Sequence, residues 1–319
     1  MQVALQKIVV LGTGGTIAGR AAESSDTLGY TAGQVPVEEL LGGLPALKDK
    51  VIHSEQVAQL DSKDMSHAVW RTLALRCAHW LGQADVAGLV ITHGTDTIEE
   101  TAFFLQSVLA PGKPVVLTCA MRPATALVPD GPQNLADALA LAGTEGAAGV
   151  LVVCGGVVHC AVDVQKVHHY RLDPFSSGDA GPLGRLEAGT LIQVRNWPPA
   201  LASSAQAAMK FIANESTWPR VGVVYSHAGV DAGMVDAGIR SGMDGVVVAG
   251  TGNGTVHAEL EAVLLAAMGR GVRVVRATRC AEGRVLPVAN AAIPDARGLT
   301  PVKARIALML DLMGHPWTS

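Results

Sequence analysis

The sequence predicts an α/β fold of two domains, a larger N-terminal one with a mostly parallel sheet flanked by helices and a smaller C-terminal parallel α/β domain. Valine-rich apolar runs recur along the chain, each ending in glycine or a turn and followed by a segment of helical period. Most of them are continuously apolar, which is typical of parallel strands covered on both faces. The N-terminal runs are KIVVLGTGG, KVIHSEQVAQL, VAGLVITHG, KPVVLTCA and GVLVVCGG.

The domain boundary is predicted where this alternation stops, at LIQVRNWPPALASS, a stretch of proline, alanine and serine. The alternation resumes with RVGVVYSHAG, DGVVVAGTGNG and VRVVRAT, and the chain then continues into the helical segment PVKARIALMLDLM. We therefore expect an N-terminal catalytic domain over residues 1–195, a linker over 196–218 and a C-terminal domain over 219–319.

Composition excludes several classes of protein. The chain has 319 residues, of which 49% are hydrophobic and 16% charged, the balance of a compact globular protein. Its 24 basic and 28 acidic residues give a net charge of −4, and no basic stretch is present that would follow nucleic acid or an anionic membrane. The N-terminus lacks a signal-peptide pattern, and no apolar run approaches the roughly 18 residues of a membrane span. We expect a cytoplasmic protein.

The five cysteines are an odd number, and none forms a C-x-x-C pair. Four of them stand in apolar segments, which is typical of reduced, buried thiols. The cysteines and histidines between positions 154 and 169 also lack the spacing of a zinc site. The sequence therefore predicts neither a disulfide framework nor a metal.

The glycine-rich segment GTGGTIAG, residues 12–19, directly follows the first predicted strand. A dinucleotide fingerprint read from Gly12 requires glycine where Ile17 stands, and the only Gly-Lys pair in the chain runs into proline instead of Ser or Thr. Neither phosphate-binding pattern is complete. We expect this loop to present backbone N–H groups and a small side chain to another ligand at the carboxyl edge of the sheet.

Threonines are concentrated at that edge. Thr13 and Thr16 lie in the glycine loop, and Thr92, Thr95 and Thr97 lie in THGTDTIEE. A threonine hydroxyl becomes a nucleophile when a neighbouring group takes its proton, and the oxyanion formed by its attack needs preorganised N–H donors. Threonines flanked by glycine supply both the hydroxyl and accessible amides.

Asp96 and Lys166 are the charged candidates for the same site. Asp96 could hold a substrate ammonium, and Lys166, in DVQKVHH, could relay a proton if it is desolvated. Each has an ordinary structural alternative. Thr95, Asp96 or Thr97 could cap the helix IEETAFFLQSVL, and Lys166 could be a solvated surface lysine.

Three further positions have structural alternatives too. Ser62, in LDSKDM, could cap the helix that follows it. Tyr30, in LGYTAG, could be a half-buried ring without a chemical role. Asn253, between the glycines of GTGNGT, could be a turn residue that tolerates a left-handed conformation.

Nine segments taken together occur in the order and spacing of the bacterial L-asparaginase family. This resemblance covers nearly the whole chain and implies an amidohydrolase that cleaves L-asparagine to L-aspartate and ammonia through an acyl-threonine, without metal or cofactor. It also implies a homotetramer, a dimer of dimers with sites at the dimer interface. The alternatives are an amidase for glutamine or a des-amino amide, and a catalytically weak sensor of small molecules. The segments are GTGGTIAG, LGYTAG, LDSKDM, ITHGTDTIEETAFFL, CAMRP, DGPQNL, DVQKVHH, GPLG and GTGNG.

The catalytic residues follow from this resemblance. Thr16 matches the family's nucleophilic threonine, and Tyr30 matches the tyrosine of the mobile lid that helps to activate it. Thr95 and Lys166 match the second threonine and its lysine, and Asp96 matches the aspartate that binds the α-amino group of the substrate.

The resemblance also implies the substrate-binding residues. Gly15 and Thr95 would supply backbone N–H groups around the oxyanion, and Ser62 would hold the α-carboxylate. Ala120, in CAMRP, belongs to the same set. Asn253 matches an asparagine that the family contributes across a subunit interface.

Two positions depart from the family's pattern. Lys63 stands where the family carries glutamine or glutamate, and Glu282 is the only glutamate in the region where a partner subunit's glutamate is expected. If Lys63 points into the site, its ammonium would repel the substrate's ammonium and favour amides without an α-amino group, such as succinamic acid. If it turns toward water, it would change nothing.

Overall fold

The structure is a computed structural model that describes residues 6–44, 51–198, 209–213 and 217–315. The chain divides into two compact units, residues 1–209 and 210–319. This division falls inside the stretch 196–218 that we predicted as a linker, although residues 199–208 and 214–216 of that stretch lie outside the described part of the chain.

The described part of the N-terminal unit contains ten strands. They are β1 (Lys7–Gly14), β2 (Val51–Leu60), β3 (Val86–Thr92), β4 (Pro114–Thr118), β5 (Gly149–Cys154), β6 (Val157–Cys160), β7 (Gln165–Lys166), β8 (Phe175–Ser176), β9 (Gly184–Glu187) and β10 (Thr190–Gln193). Eight of them form one sheet in the order β10-β9-β6-β5-β4-β3-β1-β2, and β7 pairs with β8 separately.

The first five strands are parallel to one another, as the valine-rich runs predicted. Their order in the sheet is 2-1-3-4-5. From β1 the chain adds β2 on one side and then crosses to add β3, β4 and β5 on the other side, so the strand order reverses between β1 and β3. Ligands of open α/β sheets bind in the crevice at the carboxyl ends of the strands beside such a reversal. The glycine loop follows β1 and the THGTDT loop follows β3, so the topology brings these two segments to one crevice.

Two features of the sheet were not predicted. Strand β2 lies at the sheet edge, and its residues are partly or fully exposed, unlike the buried strands β3, β4 and β5. The antiparallel strands β6, β9 and β10 extend the opposite edge through two-residue hairpin turns. One turn is Gly155-Gly156 and the other Ala188-Gly189, all with positive φ, as hairpin turns of this length require.

Helices of the N-terminal unit are α1 (Val37–Gly42), α2 (His67–Leu81), α3 (Ile98–Leu109) and α4 (Gly131–Ala142). Helix α3 buries eight of its 12 residues, which fixes the loop at its N-terminus. Helix α2 is capped by Ser66, whose side chain accepts a hydrogen bond from the Val69 N–H. The alternative role of Ser62 as the cap of this helix is therefore wrong.

The C-terminal unit has a three-stranded parallel sheet. Its strands are β11 (Val221–Tyr225), β12 (Gly245–Gly250) and β13 (Arg273–Thr278), in that order in the sheet, and its helices are α5 (Ala232–Arg240), α6 (Ala258–Gly269) and α7 (Pro301–Leu312). All three strands and the last helix coincide with predicted segments. The predicted two-domain α/β architecture is confirmed. No helix within the described ranges is long and apolar enough to cross a bilayer.

Candidate active site

Glycines let three loops meet at the carboxyl edge of the N-terminal sheet. Gly15, with φ of 82°, packs so closely on the next loop that a Cβ would lie 2.3 Å from the Gly94 nitrogen. A Cβ on Gly94 would in turn lie 2.5 Å from Ser62 Oγ. A real Cβ atom could not lie this close to its neighbours, so the two loops can approach to this distance only because both positions are glycine. The loops after β1, β2 and β3 are therefore held against one another, with Thr16 directly after one glycine and Thr95 directly after the other.

Thr16 meets Tyr30 across the glycine loop. The Thr16 hydroxyl lies 2.7 Å from the Tyr30 hydroxyl, and Thr16 is only 8% exposed. The segment that carries Tyr30 returns to the loop through a backbone bridge between Arg20 and Thr31. Gly19 makes room for the ring, since a Cβ there would lie 2.9 Å from a ring carbon. The hydroxyl of the half-buried Tyr30 is thus hydrogen-bonded to the hydroxyl of Thr16, the candidate nucleophile.

Lys166 joins the second threonine to its neighbouring aspartate. Its Nζ donates to Thr95 Oγ1 at 2.8 Å and to Asp96 Oδ1 at 2.5 Å. The lysine side chain is 17% exposed, and its backbone N–H donates to Glu99 Oε2 at 3.0 Å. Lys166 is therefore not a solvated surface lysine. The Thr95 hydroxyl engages this ammonium instead of capping helix α3.

Ser62 is bonded to the THGTDT loop through both its side chain and its backbone. Its Oγ accepts the Asp96 N–H at 3.3 Å, and its carbonyl accepts the Thr97 hydroxyl at 2.7 Å. Thr97 occupies the cap position of helix α3 without a side-chain capping bond. Thr13, which is buried, donates its hydroxyl to the Thr92 carbonyl at 2.7 Å and ties the ends of β1 and β3 together. These threonines stabilise the crevice.

One of the two backbone N–H groups that we expected around the oxyanion, that of Gly15, is used elsewhere in the structure. The Gly15 N–H, expected to face an oxyanion, donates to the Leu60 carbonyl at 2.8 Å. Gly15 therefore contributes close packing between loops, because its amide is already used. Among the residues that the structure describes, the N–H groups of Thr16 and Thr95 make no hydrogen bond within the protein.

The side chain of Lys63 is occupied by its neighbours. Its Nζ contacts Asp61 Oδ2 at 2.6 Å and Asp64 Oδ2 at 3.3 Å, and the side chain is 62% exposed. The hydrogen bonds that Lys63 donates to these carboxylates, that to Asp61 first, raise the pKa of Lys63 above its usual value. This arrangement favours the outward orientation, in which the lysine charge is compensated by two carboxylates.

Asn253 lies in the C-terminal unit, in a turn whose positive φ values belong to the glycines on either side of it. Its Oδ1 accepts the Leu286 N–H at 2.7 Å, and its Nδ2 donates to the Leu286 carbonyl at 3.2 Å. The side chain thus fixes the segment around Leu286 within its own unit. Glu282 is exposed in the same unit.

Two residues that the sequence analysis did not single out support Ala120, which is fully buried after β4. Asn134 donates to the Cys119 carbonyl at 2.9 Å and accepts the Gly155 N–H at 2.9 Å. Asp130 accepts the N–H groups of residues 121 and 122, each at 2.9 Å. Both residues lie in the quoted segment DGPQNL, but their role depends on contacts distant in sequence.

Ionisable groups around the crevice form no metal site. Within the described ranges, no group of three or more His, Cys, Asp or Glu side chains could hold a metal ion. Four of the five cysteines are buried and free, as expected, and Cys280 is exposed. The groups described around this crevice include hydroxyls, the Lys166 ammonium, the carboxylates of Asp96 and Glu99, and backbone amides.

Comparisons with known proteins agree with this arrangement. Residues 7–199 match the family described as asparaginase, N-terminal, and residues 220–315 match the glutaminase/asparaginase C-terminal domain. The chain belongs to the asparaginase family. The family resemblance inferred from the motifs is thereby confirmed, and it extends over both units.

Individual members of the asparaginase family are similar over nearly their whole length. L-asparaginase 2 of Escherichia coli is 38% identical over 97% of this chain and 90% of its own, and L-asparaginase 2 of Bacillus subtilis is 36% identical over 97% and 83%. Glutaminase-asparaginase of Pseudomonas fluorescens is 35% identical over 97% and 86%. The crystal structure of a probable cytoplasmic L-asparaginase from Campylobacter jejuni has a TM-score of 0.89 at 36% identity, covering 96% of this chain and 95% of that one.

Proposed function

We propose that this protein is an L-asparaginase that hydrolyses L-asparagine to L-aspartate and ammonia through a covalent acyl-threonine on Thr16. The observation that carries the proposal is the pair of hydroxyl contacts in one crevice, Thr16 with Tyr30 and Thr95 with Lys166. Membership of the asparaginase family supports the substrate class.

In the first step, the Thr16 hydroxyl attacks the side-chain carboxamide carbon of the substrate. Tyr30 can accept one hydrogen bond while donating another, so it is suited to take the Thr16 proton as it passes its own onward. The developing oxyanion receives hydrogen bonds from backbone amides, for which the unbonded N–H of Thr95 is our candidate. The proton relayed from Thr16 is taken up by the amide nitrogen, neutral ammonia leaves as the C–N bond breaks, and the acyl group remains on Thr16.

In the second step, water attacks the acyl-threonine and releases L-aspartate. Lys166 and Thr95 share a hydrogen bond that provides a path for the proton of this water. Asp96 would bind the α-ammonium of the substrate with the oxygen that Lys166 leaves accessible, since its side chain is 55% exposed. Ser62 and Ala120 complete the proposed binding set for the α-carboxylate and the amide.

Ammonia release from a panel of L-asparagine, L-glutamine and succinamic acid tests the function. We expect L-asparagine to be hydrolysed with the highest kcat/KM. The shift in the protein's melting temperature caused by each of the same compounds is measured in parallel. If the amino acids raise the melting temperature but no ammonia is released, the protein is a sensor. A preference for glutamine or succinamic acid would identify one of the alternative amidases. The name of the Pseudomonas fluorescens relative, glutaminase-asparaginase, is the reason to include glutamine.

Replacing Lys63 is expected to leave substrate preference almost unchanged. Because two carboxylates compensate this exposed ammonium, Lys63→Gln should alter the ratio of kcat/KM for L-asparagine to that for succinamic acid by less than about threefold, as for exposed ion pairs in general. Steady-state kinetics with both substrates measures the ratio. A rise of about tenfold or more, about 1.4 kcal/mol in relative affinity, would instead show that the lysine enters the site when substrate is bound.

The assembly we propose is a homotetramer, a dimer of dimers in which Asn253 lies near a neighbouring subunit's site. Its side chain is held by Leu286, so we expect it to act on a neighbour by shaping this segment. Closed symmetry is the usual outcome for such shared surfaces. Light scattering coupled to size exclusion gives the mass, and a fully active monomer would contradict the proposal.

The cytoplasm is the compartment we propose, on the basis of the free, mostly buried cysteines and of the similar structure from Campylobacter jejuni, a probable cytoplasmic L-asparaginase. Fractionation of producing cells checks this assignment, and activity recovered in the periplasmic fraction would contradict it.

A further inference from the structure

A chain of buried hydrogen bonds runs from the core to the THGTDT loop. The Trp70 indole nitrogen lies 2.9 Å from Thr101 Oγ1, Thr101 Oγ1 lies 2.9 Å from His93 Nε2, and His93 Nδ1 lies 2.8 Å from the Gly94 carbonyl oxygen. His93 and Thr101 are fully buried and Trp70 is 4% exposed. The chain ends one peptide bond before Thr95.

The direction of each bond follows from the first donor. An indole N–H can only donate, so Thr101 Oγ1 accepts from Trp70 and has its own proton available for His93 Nε2. His93 Nε2 is then an acceptor, and the ring proton is on Nδ1, which donates to the Gly94 carbonyl. Burial lowers the pKa of His93 to about 4, so the ring is neutral at the pH of the cytoplasm and this single tautomer is maintained.

The Gly94 carbonyl belongs to the same peptide unit as the Thr95 N–H. In a trans peptide the C=O and the N–H point in opposite directions within one plane. Fixing the carbonyl toward the core therefore fixes the Thr95 N–H away from it. Gly94 has no side chain to restrain this plane, and its neighbour Gly15 packs against it from the other loop.

We infer that His93 is a positioning residue for the oxyanion donor: held as the Nδ1–H tautomer by Thr101 and Trp70, it orients the Gly94–Thr95 peptide so that the Thr95 N–H faces the reacting carbonyl. A hydrogen bond accepted by the peptide oxygen also polarises the N–H of the same unit and strengthens it as a donor. This inference rests on the proposed function, since it assigns His93 a part in that reaction.

A matched pair of variants at position 93 separates orientation from packing. His93→Asn retains an amide N–H close to the place of Nδ1, whereas His93→Leu fills similar space without a donor. We expect His93→Leu to lower kcat for L-asparagine by about ten- to hundredfold, less than the loss when an oxyanion donor is removed outright, with KM changed less than about threefold. We expect His93→Asn to recover most of that kcat, although both variants lose thermal stability.

A second pair tests the tautomer without changing the histidine. Thr101→Val removes the donor to His93 Nε2, and Thr101→Ser keeps it, so kcat should fall in the first variant and be retained in the second. Melting temperature and binding of L-aspartate, followed by thermal shift, confirm that each variant is folded with an intact site.

The outcomes are distinguishable. If the wild-type protein hydrolyses L-asparagine but His93→Leu keeps its kcat, or His93→Asn loses as much as His93→Leu, the inference is wrong and the proposed function stands. If the wild-type protein releases no ammonia from any amide, the proposed function is wrong and this inference fails with it.

Discussion

Thr16→Ala is expected to lower kcat for L-asparagine by about 10³-fold or more, the loss typical of a deleted nucleophile. The substitution removes the hydroxyl that lies 2.7 Å from Tyr30 and little buried surface, so the fold should remain intact. Steady-state ammonia release gives kcat, and the melting temperature reports on folding. Retention of more than about a tenth of the wild-type kcat would rule out the acyl-threonine mechanism.

Thr16→Ser is the matched control for that variant. It keeps a hydroxyl at the same position and removes only a methyl group, so we expect measurable turnover. Mass spectrometry of acid-quenched enzyme provides an independent readout: an acyl adduct should be found on the peptide containing residue 16 in the wild-type protein and should be absent from Thr16→Ala.

Lys166→Met is expected to produce the second large loss, about 10²- to 10³-fold in kcat, because it removes the only ammonium bonded to Thr95 in the described structure. Methionine preserves the length and apolar stem of the side chain, so packing in the half-buried position is conserved. Loss of the ion pair with Asp96 also leaves that carboxylate without its cation. We therefore expect KM for L-asparagine to change as well as kcat.

Lys166→Arg distinguishes proton transfer from charge. Arginine keeps the positive charge beside Asp96 but does not give up a proton near neutral pH, and its planar group does not reproduce the ammonium geometry. If Lys166 relays a proton, kcat of Lys166→Arg should be as low as that of Lys166→Met. If kcat instead returns to within about tenfold of wild type, the lysine acts through its charge alone.

The strands and the composition of the candidate site could be read from local sequence. The predicted runs coincide with every parallel strand described in both sheets, and continuous apolar residues are the pattern of those strands that are buried on both faces; β2, at the sheet edge, is partly exposed and lacks this pattern. The motifs GTGGTIAG and HGTDT gave the threonines, and LGYTAG and DVQKVHH gave the tyrosine and lysine that contact them. The hairpins were missed although Gly155-Gly156 is itself a hairpin signal, since strands of four residues have too short a pattern to stand out.

Contacts between distant residues decided what the motifs left open. Residue type did not show whether Ser62 caps a helix or holds a loop, and the answer came from its bonds to Asp96 and Thr97, 34 and 35 positions away. The orientation of Lys63 depended on two neighbouring carboxylates, and the use of the Gly15 amide depended on the Leu60 carbonyl at the end of another strand. His93 was passed over because its bonding partner Thr101 becomes its neighbour only through the packing of helix α3.

By itself, the sequence determined the α/β class and indicated the carboxyl edge of the sheet as the candidate site, with the residue types found there, because periodicity and glycine placement are local properties of the chain. Only the tertiary structure decided which hydroxyl contacts which partner, which amides remain unbonded and which charges are compensated. Hydrogen bonds and ion pairs act over about 3 Å, and the residues that form them in this crevice are separated by up to 79 positions in the sequence. Their pairing therefore exists only after the strands have been ordered around the reversal between β1 and β3.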